Sequence, residues 1–501
     1  MNMYGNARSS RAQLSPIADS SFLWRYARSA ANWNVAMHDN SDNPEQLRDM
    51  WFDPERVPAT DRARTLVVEA TALLSAFREP DRKRISKKRD AARMTEQVTA
   101  ILCNVAHHYL MGAPGNGIVV SRSKQSTIPR RYRASIDTES FIKVLDWLAD
   151  PRLGLIGQTT GRPRDYMRAP RRSTIKAAPR LIGLLKGGRL TLADFTIVPK
   201  LEVLVLRDAD PANDGEQRDI EYTDTERTQN LRAEVEHINQ LLAQADITFD
   251  VSDAARAAGR HGMMDHLLLL QGSSCVDLSN RRMRRIFSNG SWQLGGRLYG
   301  GFWQQLPRPI RLAGVRIDGE RVVALDFSAM NAVLAYAEVK AQPPDGDLYT
   351  LQGFEDHRDG VKKLFNAMLF NTKVPIRFPK GTKQLFSHRT KAAHVTDAIL
   401  RAHAPLSSIF GTGVGLSLMY RESEVLMAVL RSLGDQGVTA LPVHDAIVVK
   451  RAEVDRGEAA MVHQFAQRTG LHAVVKREVE PEDGELHELK TVTSPVGSSL
   501  T

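Results

Sequence analysis

Two acidic residues stand where an acid could do chemistry. Asp326 closes the apolar run Val322–Leu325, and AMNAVLAYAEV follows it with helical periodicity. The run reads as a buried strand leading into a helix. An acid at that junction is aimed out of a packed core at fixed geometry. Asp445, preceded by His444, lies inside LPVHDAIVVK, residues 441–450. That pattern reads as two strands joined by a tight turn. Carboxylates on adjacent strands can hold divalent cations between them, and cations bridged by carboxylates and phosphate oxygens serve nucleotidyl transfer. A plainer alternative stays open on these residues alone: Asp326 as a helix N-cap and Asp445 as a turn residue.

A third stretch, RDGVKKLFNAMLFN at 358–371, has helical periodicity. Arg358 and Lys362 are four apart and share a helix face, and Phe370 lies further along, able to flank the same cleft. Two cations beside an aromatic ring suit a triphosphate and a stacked base. A basic helical face simply exposed to water is the alternative. Upstream, GGRLYG at 295–300 offers Arg297, next to the arginines 281, 282, 284 and 285. A hairpin there would aim several cations at one nucleic-acid path.

In this order the segments resemble motifs of the family A DNA polymerases and the related single-subunit phage-type RNA polymerases. Asp326-Phe327-Ser328 resembles motif A. Arg358, Lys362, Phe370 and Asn371 fall on motif B, and His444-Asp445-Ala446 on motif C. Arg297 falls on the Gly-Arg-aromatic element that grips the template. The resemblance covers about residues 280–460. It implies an α+β right-hand polymerase with an antiparallel-sheet palm, helical fingers and thumb, and an N-terminal accessory domain. The implied catalytic residues are Asp326, Asp445 and Lys362, with Asp326 and Asp445 as ligands of two Mg²⁺ ions that Mn²⁺ could replace. The implied substrate contacts are Arg297, Arg358, Phe370, Asn331, His444 and Arg421. Arg421, with Glu424, would serve a helix that touches the minor groove. Partners would be a DNA template and primer with dNTPs or rNTPs, and the activity DNA-directed DNA polymerase. DNA-directed RNA polymerase or primase is one alternative, and a non-catalytic DNA-binding replication protein with a degenerate palm is another.

The sequence departs from the family where the sugar is chosen. A family A DNA polymerase pairs a Glu with the motif B Tyr against a 2′-hydroxyl; here the positions hold Asn331 and Phe370. An amide and a ring without a hydroxyl make a roomier gate, so ribonucleotides should enter alongside deoxynucleotides. Motif B ends in Asn371 rather than Gly, and Ala446 follows the second Asp. Residues 327–444 leave little room for elaborate fingers.

The surrounding chain must position these groups. GVRIDGERVVAL contains a hairpin signal at Asp318-Gly319 that would deliver the strand of Asp326. Helices are expected over 62–78, 95–111, 137–150, 173–188, 225–245, 420–433 and 452–470. The expected layout is a mainly helical region at 1–134, a winged-helix-like domain at 135–208, and a thumb-like region with the template element at 209–300. Palm follows at 301–354, compact fingers at 355–430, the rest of the palm at 431–490 and a disordered tail at 491–501. Arg162, Arg164, Arg168, Arg171, Arg172, Lys176 and Arg180 cluster on the winged-helix-like segment as candidate duplex contacts.

Bulk composition agrees with an anionic partner. The 501 residues carry 68 Lys and Arg against 58 Asp and Glu, a formal charge of +10. Two cysteines, Cys103 and Cys275, exclude a disulfide scaffold or a cysteine-rich zinc module. No apolar run reaches membrane-spanning length and the start shows no signal core, which reads as a soluble cytoplasmic protein without a membrane partner. No acidic exonuclease constellation stands out in the N-terminal half.

Overall fold

The computed structural model describes residues 50–78, 88–112, 117–122, 129–132, 139–162, 171–198, 201–209, 217–263, 276–480 and 492–493. Among them, Pro344–Gly415 forms one compact unit and the segments on either side form the other. Helices and several sheets give a mixed α/β protein.

The larger unit begins with β1 (Met50–Trp51), β2 (Arg56–Pro58), α1 (Asp61–Arg78), α2 (Lys88–Leu110) and β3 (Ile118–Val119). It continues with α3 (Glu139–Ala149), β4 (Ile156–Thr159), β5 (Thr174–Ala177), α4 (Pro179–Gly187) and β6 (Phe195–Ile197). Buried Ile101, Leu102 and Val105 of α2 form the centre of a core with Leu66 and Leu74 of α1, Leu145 and Leu148 of α3, and Leu181 of α4. The single helix expected over 173–188 is a strand followed by a helix. Pro179 occupies the first turn of α4, and the preceding Ala178 is extended at φ −98° and ψ 164°. A proline starts a helix readily but drives the residue before it into the β region. The first two residues of the helix expected over 137–150 lie outside the described residues, as do Arg164, Arg168 and Cys275.

Strands of the segment 135–208 are shared among three sheets. β5 pairs with β3 and β4, and β6 with β2. β7 (Leu204–Ala209) runs parallel to a strand far along the chain, Met283–Ser288. After β7 come β8 (Gln217–Asp219), α5 (Glu226–Gln244), β9 (Ile247–Phe249), α6 (Val251–Arg260), β10 (Met283–Ser288) and β11 (Ser291–Gly300). β10 and β11 form a hairpin about Asn289-Gly290, both at positive φ (52° and 62°), the backbone that a two-residue turn between twisted strands requires.

A separate, seven-stranded sheet carries Asp326 and the turn that holds Asp445. α7 (Phe302–Gln305) and α8 (Arg308–Gly314) lead into β12 (Val315–Ile317), β13 (Glu320–Phe327) and α9 (Met330–Glu338). In the smaller unit lie α10 (Arg358–Phe370) and α11 (Ala392–Ala402). The chain then forms α12 (Gly415–Asp435), β14 (Ala440–Val443), β15 (Ala446–Lys450), α13 (Val454–Thr469), β16 (Val475–Glu478) and β17 (Val492–Thr493). The order is β14-β15-β13-β12-β9, with β16 also on β13 and β17 on β16. All of these pairs are antiparallel. Within the expected tail, the β-branched pair Val492–Thr493 thus extends a sheet edge; its other residues lie outside the described ones.

Asp318 and Gly319, at φ 51° and 75°, join β12 to β13 as the sequence signal required. β13 is buried through its middle: Val322, Val323, Ala324 and Leu325 are all buried, as are Ile447, Val448 and Val449 opposite. α13 packs across β13, β15 and β16, and its Gly457 permits the close approach. A Cβ at Gly457 would come within 2.7 Å of Leu325 Cδ1 and 3.5 Å of Val449 Cγ2. Gly457→Val should therefore overpack the sheet beneath Asp326 and lower stability by roughly 1–3 kcal/mol in denaturant unfolding. An unchanged midpoint would mean α13 does not lie this close.

Candidate active site

Asp326 stands on β13 between two partner strands, opposite Ala446 of β15 on one edge and Lys476 of β16 on the other. His444 and Asp445 are the two residues of the turn between the paired Val443 and Ala446. His444 takes positive φ, 59°, to make that turn. Asp445 therefore directly precedes the cross-strand partner of Asp326. With strands about 4.8 Å apart and about 3.4 Å per residue, their Cα atoms lie about 6 Å apart. Asp326 does not cap the helix after it. The N-cap of α9 is Ala329, left-handed at φ 54° and without a side-chain cap bond. The plainer reading of Asp326 is thereby removed.

Behind the turn lies a buried ion pair. Arg297, on β11, donates from Nε and Nη2 to the two carboxylate oxygens of Glu422, each at 2.6 Å. The Glu422 side chain is only 1% exposed. Burial opposes the charge of Arg297, but Glu422 outweighs it and holds the guanidinium firmly protonated. Burial lifts the Glu422 carboxyl above its ordinary range, with Arg297 opposing and Asp445 adding to the rise. Asp445 thus lies within electrostatic reach of both partners. Crowding by surrounding protein atoms, with Arg297, pushes His444 down to about 4 against the opposing pull of Asp445, although part of the ring stays exposed to solvent at the turn. His444 is neutral at physiological pH, and its ring meets Tyr299 edge-on at 6.1 Å.

The expected roles of several cations change with their partners. Arg297 was expected to grip a template, yet its fork is committed to Glu422. Arg421 pairs with Glu338 at the end of α9. The cluster at 281–285 does not point along a common path. Arg281 donates to the carbonyls of Leu278, Ala245 and Ile247, and Arg282 to Glu55 and the Leu201 carbonyl. Arg284 lies 4.0 Å from Glu55. Arg285, fully buried, donates to the Gly296 carbonyl, Ser423 Oγ and Glu424. Their acids come from distant segments, so these arginines tie the larger unit together. Every residue of the α12 run Arg421-Glu422-Ser423-Glu424 is engaged in this way. Asn331 sits half-buried in the first turn of α9.

The smaller unit arranges its own set. Arg358 opens α10 and is held by Asp347 through Nε at 2.8 Å and Nη2 at 2.7 Å. Its guanidinium lies over the Tyr349 ring at 5.5 Å, and Lys362 Nζ lies 5.9 Å from the same ring. Lys362 is exposed, one turn along the same face. Phe370, at the end of α10, closes against Gly415, where a Cβ would meet its ring at 2.4 Å.

Two residues escaped the sequence reading, Glu422 and Tyr299. Tyr299 is two residues beyond Arg297 on one strand, so the period of two puts both on one face. Nothing local marks Glu422 as the partner of a residue on β11. Among the described residues no group of three or more His, Cys, Asp and Glu forms a metal cage. Mg²⁺ needs none: it is bound by one or two carboxylates together with substrate phosphates and water. The hard oxygens of Asp326 and Asp445 suit that ion.

No family model matches the sequence, and no curated protein matches it. Among solved structures, the POL domain of Pol1 from M. smegmatis, in complex with DNA primer-template and dNTP, is similar to this chain. The likeness covers 83% of this chain and 69% of that one, at 10% identity and a TM-score of 0.27. A TM-score of that size does not establish a common fold. The chain is thus defined by its own features: a mixed α/β protein with one carboxylate on a strand, a second in the turn beside it, and an Arg–Glu ion pair within electrostatic reach of that turn. Among the described residues no helix is long and apolar enough to cross a membrane.

The pair makes a sharp energetic expectation. Glu422→Leu strips the largely buried Arg297 of its hydrogen-bonded partner and leaves only the unbonded Asp445 to balance it, and should cost roughly 3–5 kcal/mol in denaturant unfolding. Arg297→Met with Glu422→Leu removes both charges and should recover most of that loss. A single-variant loss below about 1 kcal/mol would be that of a solvent-exposed pair.

Proposed function

We propose that the chain transfers nucleotides from nucleoside triphosphates to a nucleic-acid 3′ end under the direction of a template, with DNA as the favoured product. The observation that carries this reading is the strand register that sets Asp326 beside the His444-Asp445 turn. Paired carboxylates reaching out of a covered antiparallel sheet are what a shared-metal phosphoryl-transfer site needs, and the sequence motifs supply the rest. In this reading the sheet is the palm, and the unit containing α10 acts as the fingers.

Asp326 and Asp445 would hold Mg²⁺, which when bound activates the 3′-hydroxyl and stabilises charge on the phosphoryl oxygens and the leaving pyrophosphate. The neutral His444 would donate a hydrogen bond to a phosphate oxygen rather than contribute a charge. Arg297, fixed by Glu422, would place a permanent positive charge within electrostatic reach of the Asp445 carboxylate. Motif B assigns Arg358 and Lys362 to the triphosphate. Because Arg358 is already held by Asp347, Lys362 would supply the mobile cation, and Arg358 with Tyr349 the rigid wall beside it. Phe370 would stack near the base. Arg421, released from or sharing with Glu338, would serve the product duplex.

Asn331 favours a second product. A gate of Asn and Phe supplies one modest steric contact and an optional hydrogen bond, whereas three decades of discrimination need about 4 kcal/mol between transition states. Ribonucleotides should therefore be incorporated appreciably beside deoxynucleotides.

Primer extension on one primed template, with each dNTP and its matching rNTP, tests the proposal. Asp326→Asn and Asp445→Asn should each lower incorporation by about three decades or more. Neither should lose thermal stability, since removing one of two nearby carboxylates relieves repulsion. Incorporation near the native rate in either variant would contradict the assignment. A preference for deoxynucleotides above about ten-thousandfold, worth over 5 kcal/mol, would mean that another group closes the gate.

A further inference from the structure

We infer that the loop following α10 is a nucleic-acid wedge, with Ile376 inserting at a base step and Lys373 and Arg377 holding phosphates on either side. The first ground is charge. No Asp or Glu occurs between Asp359 and Asp397, while that stretch carries eight Lys and Arg. Unlike the arginines at 281–285, Lys373 and Arg377 point their side chains into solvent. A stretch of one sign on this scale makes a local field for an anionic polymer.

The second ground is the apolar tip. Ile376 is 82% exposed, the highest value for any large apolar residue among the described ones. A single exposed apolar side chain is ordinary on a protein surface. Here it is held out by a built platform. The run Lys373-Val374-Pro375-Ile376-Arg377-Phe378-Pro379 has two prolines, which fix their own φ and bias the residues before them to extended backbone. Phe378 stacks on Phe386 at 4.9 Å and 28°. Phe386 in turn lies on α10 at Gly360, where a Cβ would meet its ring at 2.5 Å. Lys383 Nζ lies over Phe378 and donates to the carbonyls of Ser387, His388 and Thr390 at 3.2, 2.8 and 2.6 Å. At the other end Gly411 and Gly413 donate backbone N–H bonds to Met368 and Asn371. Little conformational freedom is left to lose when the tip docks.

Magnitude selects the partner. One Ile side chain is worth about 1.5–3 kcal/mol when buried, too little to anchor a protein on a bilayer but comparable with the unstacking of one base step. Apolar wedges of this type, flanked by cations on phosphates, are a recurrent way to open or kink nucleic acid. The inference shares with the proposed function only that the chain meets nucleic acid; it requires no catalysis.

The full chain is titrated, in EDTA to prevent turnover, against a primer–template with 2-aminopurine at the single-strand/duplex junction. Native chain should raise the fluorescence on binding. Ile376→Ser should bind with the same salt dependence and lose the rise, while Ile376→Phe should keep it. Lys373→Gln with Arg377→Gln should flatten the slope of log K against log salt by about two units, roughly one per lost phosphate contact. Because EDTA strips any metal and no nucleotide is added, the readout requires no catalysis, which separates failure of the wedge from failure of the catalytic assignment. The inference is overturned if Ile376→Ser retains the rise, or if the double variant keeps the native slope. It is equally overturned if the native chain ignores the junction and binds vesicles of anionic phospholipid instead.

Discussion

The position of Asp326 depends on a strand hydrogen-bonded along both edges. β15 and β16 both pair with residues 324–326 of β13, so they must lie on opposite sides of it. A slip of one residue on either side would turn Leu325 outward and Asp326 into the core, at the cost of burying an unpaired charge. Two tight turns pin the register. Asp318-Gly319 fixes where β13 begins, and His444-Asp445 fixes where β15 begins. The second turn is therefore both a folding device and the carrier of the second carboxylate.

The Arg297–Glu422 pair extends this constraint beyond the sheet. It joins β11 to α12, and the next two residues of α12 receive Arg285 from β10. Buried ion pairs are weak devices for stability but demanding ones for geometry. Arg297 is kept charged within electrostatic reach of Asp445, while its two hydrogen bonds to Glu422 hold it still. His444 is kept neutral by the same surroundings. The turn thus presents a carboxyl group and a neutral imidazole side by side.

What the sequence disclosed was local. The hairpin at Asp318-Gly319, the apolar run Val322–Leu325 and the strand–turn–strand around His444-Asp445 all rest on turn chemistry and periodicity within a few residues. Arg358 and Lys362 fall on one helix face for the same reason. The helix expected over 173–188 could have been divided at Pro179 by the same local rules. The arginines at 281, 282, 284 and 285 were beyond such rules. Their partners Glu55, Glu234 and Glu424 are distant in the chain, and a run of cations reads alike whether it meets solvent or buried acids. Glu422 was hidden for that reason too. The lack of acids from 360 to 396 was visible from the start, but it took the exposure of Ile376 and the packing of Phe378 on Phe386 to give it a shape.

The central claim is that Asp326 and Asp445 act on a shared pair of cations. Electron paramagnetic resonance of the Mn²⁺-loaded chain with a non-hydrolysable nucleoside triphosphate tests it most directly, because two ions about 3.5–4 Å apart are spin-coupled. The native chain should show a coupled signal at two equivalents of Mn²⁺, and Asp326→Asn and Asp445→Asn should each abolish the coupling. Two uncoupled ions in the native chain, or a coupled signal that survives either substitution, would contradict it.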